Sequence, residues 1–229
     1  MASISTSLVA APTTPRIAGY VDNTYTFGFS GAFNHSDTEF KGFGSASDTT
    51  GLICADGTMN LWNSGMRYSG EFAGLRIAAA GSLCQGFGTA SEPVAGFDGR
   101  TTLGSFMSGG ARLIAPITMN AMMIMPSIGA GIGFGNVKVQ AAPFESDRSW
   151  RSGFYWEVGV AIPFSNWNPS RSTSAGPVWG TGSVQGIDAA ATELYLNFKR
   201  WDAGNQTLDG GAQTRTNFDM YVVGVRTKW

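Results

Sequence analysis

The chain has 229 residues, enough for one domain, and only 14% of them are charged, against about a quarter in ordinary soluble domains. The net charge of −1 gives a nucleic-acid partner no electrostatic support. With 32 glycines and 12% aromatics, the composition fits a membrane β-barrel, where only every second strand residue has to be apolar.

Residues 1–15 are small, polar and rich in Pro, Thr and Ser. They lack the basic start and apolar run of an export signal. They are expected to form a flexible tail left after such a signal is removed, with a single barrel domain over 16–229.

From there, eight segments of about ten residues alternate with period 2. In the first, 17–34, Tyr25, Phe27, Phe29 and Phe33 share one face and Gly28, Ser30 and Asn34 the other. The second, 58–68, groups Trp62, Met66 and Tyr68, but Met59 and Leu61 fall on the opposite parity and leave its phase open. The third, 72–84, sets Leu75, Ile77 and Leu83 against Arg76. The fourth, 102–117, sets Met107 and Leu113 against Ser108 and Arg112. The fifth, 122–140, places Ile128, Ile132 and Phe134 opposite Gly129, Gly131, Gly133 and Gly135. In the sixth, 152–164, Phe154, Trp156, Val158 and Val160 oppose Tyr155, Glu157 and Gly159. In the seventh, 192–201, Leu194, Leu196 and Phe198 oppose Glu193, Tyr195 and Lys199. The eighth closes the chain, with Tyr221, Val223 and Val225 against Gly224, Arg226 and Lys228.

A soluble sandwich gives the same alternation, but its solvent face is richer in Lys, Glu and Thr. Here the second face is mainly glycine, alanine and serine with isolated charges, which suits the narrow interior of a small barrel. The uncharged stretch 113–137 is long enough to span as a helix, yet Pro116, Pro126 and the alternate glycines make it a strand–turn–strand. Connectors 35–57, 85–100, 141–151 and 202–217 are long and polar, while the breaks near Ser69 and Asn120 are short. This matches the two ends of an outer-membrane barrel. The connector 165–190 departs from the pattern and leaves ten strands open. The predicted fold is a closed, all-β, antiparallel up-and-down transmembrane barrel of eight strands.

Four pieces of sequence carry a family resemblance: MPSIGAGIGFGNV from Met125, GFYWEVGVAIPF from Gly153, ATELYLNFKRWDAG from Ala191 and the closing TNFDMYVVGVRTKW from Thr216. They resemble strands five to eight of the small Gram-negative outer-membrane β-barrels of the OmpA-like and opacity-type porin family. The resemblance is strongest over 120–229 and weakest over 50–115. It implies an outer-membrane location among lipid and lipopolysaccharide, with a structural, surface-interaction, adhesin or narrow-pore role and no catalytic residues. It also implies that the barrel-assembly machinery reads Gly224 and the terminal Trp229, although Thr227 stands where a second bulky residue is usual.

On this reading Phe27, Phe29, Ile128, Ile132, Phe134, Phe154, Trp156, Val158, Val160, Leu194, Leu196, Val223 and Val225 face lipid. Arg76, Arg112, Glu157, Glu193, Lys199, Arg226 and Lys228 point into the interior, where charges must pair. They form either a plug or a polar gate; an eight-stranded interior, usually filled, favours the plug. Tyr68, Trp156, Phe164, Trp201, Tyr221 and Trp229 suit interfacial girdles. Cys54 and Cys84, at the loop ends of neighbouring strands, are either a disulfide or two separate thiols. His35, beside Ser36 and Asp37, is the one histidine. It offers neither a converging triad nor a multi-histidine metal site. GAGIGFG over 129–135 lacks the spacing and following helix of a dinucleotide loop. No cofactor, metal or nucleic acid is expected. A diffusion pore, a soluble barrel for a small apolar ligand, a surface ligand for the loops and a homo-oligomer all stay open.

Overall fold

The computed structural model describes residues 25–63, 75–92, 99–119, 122–141, 144–164, 192–208 and 211–228. Nine strands run through them: β1 (Tyr25–Phe40), β2 (Gly44–Asn63), β3 (Arg76–Glu92), β4 (Gly99–Ile114), β5 (Ile117–Met119), β6 (Met122–Ala141), β7 (Phe144–Pro163), β8 (Thr192–Thr207) and β9 (Gln213–Lys228). Every ladder is antiparallel, and the pairings β4–β6 and β1–β9 close the sheet into an eight-stranded barrel. β5 stands outside the ring, a three-residue hairpin arm on the start of β6.

The strands are longer than the alternation suggests. Most of 35–57, 85–100, 141–151 and 202–217, expected as long loops, is ladder. At that end of the barrel β1 and β2 are joined by the three-residue turn 41–43, where Gly42 takes a φ of +85°. β8 and β9 are joined through Leu208 and Ala212, whose backbones hydrogen-bond at 2.8 Å. The connector 165–190, the tail 1–15 and the break near Ser69 lie outside the described residues.

The barrel has two levels. On the half nearer Tyr25 and Lys228, the outer face is apolar. Further along, the outer face turns polar through His35, Asp37 and Glu39 on β1, Lys138 and Gln140 on β6, and Arg200 and Asp202 on β8. The ladder β3–β4 stops at Gln85–Ser105 and β7–β8 at Tyr155–Trp201. Beyond those points the chain continues as two facing sheets, β3-β2-β1-β9-β8 and β4-β6-β7.

Register shifts at Thr50/Gly51, Leu103/Ser105 and Asp202/Asn205 mark this transition, as bulges do where a sheet bends. β4 then packs across the interior on β1 and β2. The Thr38 and Thr101 hydroxyls lie 2.7 Å apart, and the Thr101 N–H donates to Asp48 Oδ2 at 2.5 Å. Between the two sheets sits an apolar core that includes Phe40, Leu52, Leu103, Phe106, Val137, Trp201 and Phe218.

Candidate functional site

Two surfaces could carry function, the outer face of the belt and the interior. The outer face holds the large apolar side chains: Phe29, Phe33 and Phe154 are 65%, 69% and 60% exposed. Phe27, Ile128, Ile132, Phe134, Trp156, Val158, Leu196, Val223 and Val225 are exposed too, with Val160 and Leu194 half-buried on the same parity. Trp156, Phe198 and Tyr221 touch in sequence around this face, their ring centroids 5.3 and 5.2 Å apart.

The interior gathers the charges. Arg112 on β4, Glu157 on β7 and Lys199 on β8 are buried together. Arg112 donates to Glu157 Oε1 through Nε at 2.8 Å, with Nη2 also at 2.8 Å, and Lys199 Nζ stands 3.6 Å from Glu157 Oε2. Lys199 also donates to Ser82 at 3.0 Å and Ser108 at 2.9 Å on the far wall, and its ammonium sits 4.6 Å from the Tyr155 ring centroid. Nearer the chain ends, Arg226 donates to Glu193 and lies over the Tyr195 ring.

Arg76 is buried at the start of β3, opposite Ile114 and two residues along the β3–β4 ladder from the Arg112 row. Lys228 ends β9 opposite Thr26, and its side chain lies outside the described residues. Chemically the interior is cross-braced, since long side chains from β8 tie to β2, β3 and β4.

Asp56 belongs to this network although the sequence did not point to it. Its Oδ2 accepts from Ser30 and from Tyr195 Oη, each at 2.5 Å. The signal was hidden because β2 carries an extra residue, Leu61, between Asn60 and Trp62, which resets which parity faces inward.

Cys54 and Cys84 are joined by a disulfide. They lie mid-strand, directly opposite each other and buried, and not at loop ends. Trp201 is no girdle residue: it is fully buried, stacked on Phe218 and tilted on Phe106 at 5.0 Å. Trp150, unremarked in the sequence, is exposed on the outer face. Tyr68 and Trp229 lie outside the described residues; Gly224 packs flush against Tyr195 and Ser30, leaving no room for a Cβ.

His35 and Ser36 point to opposite faces. Ser36 is buried and donates to the Asp48 carbonyl, whereas His35 stands 3.3 Å from Asp37 outside. Ser47 donates to the same Asp37 oxygen at 2.7 Å. The carboxylate therefore separates hydroxyl from imidazole, and no base lies against the nucleophile a triad needs.

No protein-family model matches the chain, and neither does any curated protein. Among solved structures it is similar to the Neisserial surface protein A, with 14% identity, a TM-score of 0.41, and 93% of this chain and 99% of that one covered. It is also similar to Ail, the attachment invasion locus protein of Yersinia pestis (11% identity, TM-score 0.39, 91% and 99% covered). A third is the outer membrane protein OprG from Pseudomonas aeruginosa (10% identity, TM-score 0.31, 92% and 98% covered).

Proposed function

We infer that this protein is an outer-membrane β-barrel with a structural or surface-interaction role, its interior closed to solute flow. The observation that carries this is the inversion of polarity across one wall: Phe154, Trp156 and Val158 are exposed outside while Tyr155 and Glu157, between them, are buried. Such a surface is stable only against acyl chains, and a closed ring satisfies every backbone group where water is absent. The filled interior favours this over a diffusion pore, because Trp201, Phe106, Phe218 and Leu103 occupy the axis above the charged set. A soluble barrel for an apolar ligand would place those outer side chains inside.

In this reading the two-sheet projection stands on the outer side of the membrane and presents the polar face that partners meet. The test is migration on a gel before and after boiling, together with conductance in a planar bilayer. A closed membrane barrel migrates faster unboiled and shows no stable unitary conductance. A chain that stays in the aqueous phase without detergent overturns the membrane assignment, and a steady conductance overturns the plug.

A further inference from the structure

Around the outer face just above the apolar belt, the two sheets differ in charge. On β8 and β9 the charges are matched: Arg200 faces Asp219 at 3.5 Å and Arg215 faces Asp202 at 2.9 Å. On the facing sheet Lys138 and Arg148 are not. Lys138 on β6 and Arg148 on β7 are direct cross-strand partners on the outward parity, with Thr102 on the other side of Lys138.

No acidic side chain is described on the outer face of this sheet, and neither Lys138 nor Arg148 makes an ion pair among the described residues. Like charges set directly opposite each other in a ladder destabilise it, so the pair needs a counter-anion to be favourable. The absent side chain of Gly104 lets the Arg148 guanidinium lie against β4: a Cβ there would fall 3.2 Å from Nη2 and 3.3 Å from Asn136 Oδ1. Directly below, one outward step toward the belt, are exposed Trp150 and then Phe134 and Phe154.

We propose that Lys138 and Arg148 form a binding site for the phosphomonoester headgroup of a lipid whose acyl chains lie along the belt beneath. This rests on the membrane reading above. A phosphomonoester carries about −1.5 to −2 charges, which matches two adjacent cations. Arg148 offers the planar fork and Lys138 the point charge suited to it. Trp150 sits where an amphipathic ring meets the headgroup layer.

The test uses the full chain folded in non-ionic detergent, with folding verified by its heat-dependent migration. Phosphatidic acid and phosphatidylcholine of equal chain length are titrated calorimetrically. The expected result is saturable binding of phosphatidic acid, weakened roughly tenfold or more in Lys138→Gln/Arg148→Gln. The control Arg200→Gln/Arg215→Gln on the opposite sheet should stay within about twofold of the parent, since each of those charges is already paired.

Arg148→Glu supplies a second readout: it turns the Lys138 pair into an attractive one, so it should abolish binding while raising resistance to unfolding. Equal binding of the two lipids, equal loss in the control, or unchanged binding by both site variants would overturn the proposal and leave the barrel reading intact. Inorganic phosphate binding as tightly as the lipid would overturn the lipid as the source. A parent chain that never acquires heat-dependent migration would overturn the membrane reading, and the site with it.

Discussion

Glu157 on β7 and Arg112 on β4 bond at 2.8 Å although a whole strand stands between them. That strand, β6, contributes Gly129 to their row, paired with Arg112 on one side and Glu157 on the other. A Cβ on Gly129 would fall 2.7 Å from Glu157 Oε1. The absent side chain is therefore what lets carboxylate and guanidinium meet over the sheet surface. The same row continues to Lys199 on β8, so one anion sits between two cations in a place water does not reach.

Replacing that anion should be costly. Glu157→Gln leaves Arg112 and Lys199 buried without their shared counter-charge, and removing one partner of a buried pair typically costs about 3–5 kcal/mol. Ser82→Ala removes one of Lys199's two hydroxyl partners and should cost only about 1 kcal/mol. The midpoint of urea unfolding in vesicles, read by the heat-dependent band, measures both. Equal effects would mean that the triad does not brace the barrel.

The next glycines on β6 make room for bulk rather than charge. A Cβ on Gly135 would stand 2.5 Å from the Trp201 ring, and one on Gly133 would stand 2.7 Å from Phe106. Both rings are fully buried and cannot swing away. Gly135→Ala should therefore overpack the interior and cost about 1–3 kcal/mol. Ala130→Gly, on the outward parity of the same strand, should cost less. An indifferent Gly135→Ala would mean that the Trp201 packing is wrong.

Alternation was legible wherever outward and interior positions differ in chemistry, which is why 122–140 and β6 nearly coincide. Above the belt that contrast fades or reverses. On β8 the outward residues become Arg200 and Asp202 while the inward ones are Trp201 and Ala203. A rule that sends apolar residues outward therefore ends the strand too early and misplaces Trp201. The charged interior set was readable from parity alone on β4, β7 and β8. Asp56 was not, because β2 is bulged. Nothing in the spacing of Cys54 and Cys84 announces that they are register partners; that follows only from the β2–β3 pairing.

The disulfide leads to a prediction of its own. Both cysteines face the interior and are almost fully buried, so a reductant should not reach them until the barrel opens. Alkylation after reduction should label neither thiol in folded protein and both after denaturation. The bond closes a segment of 30 residues, and Cys54→Ser/Cys84→Ser should lower stability by about 3–4 kcal/mol on the chain-entropy argument. Rapid labelling of the folded protein would place the pair outside the interior.

The outward face can be tested at its middle. Ile132 is exposed between Ile128 and Phe134, and an arginine at the bilayer midplane of such a barrel costs about 2–4 kcal/mol. Ile132→Arg should therefore fold poorly in vesicles, while Ile132→Leu should behave as the parent. Arginine at Gln140, beyond the belt on the same strand and parity, should be tolerated. If the first and last were equally harmless, acyl chains would not contact Ile132.

Asp202 lies above the belt and gives the projection its own pH response. Partial burial pushes its carboxyl up, but the Gly204 N–H, the Arg215 guanidinium and nearby Arg200 outweigh this and hold it below the usual aspartate range. A carboxyl with a depressed folded-state pKa contributes stability that is complete above its unfolded value, about 3.9, and is lost as pH falls through the folded value. Asp202→Asn should therefore remove a small stabilisation at neutral pH and flatten the acid limb below about pH 4. Because the Arg215 pair is half exposed, salt should shrink the difference between the two proteins. Parallel acid limbs for Asp202→Asn and the parent would show that the carboxylate holds neither the Gly204 turn nor Arg215.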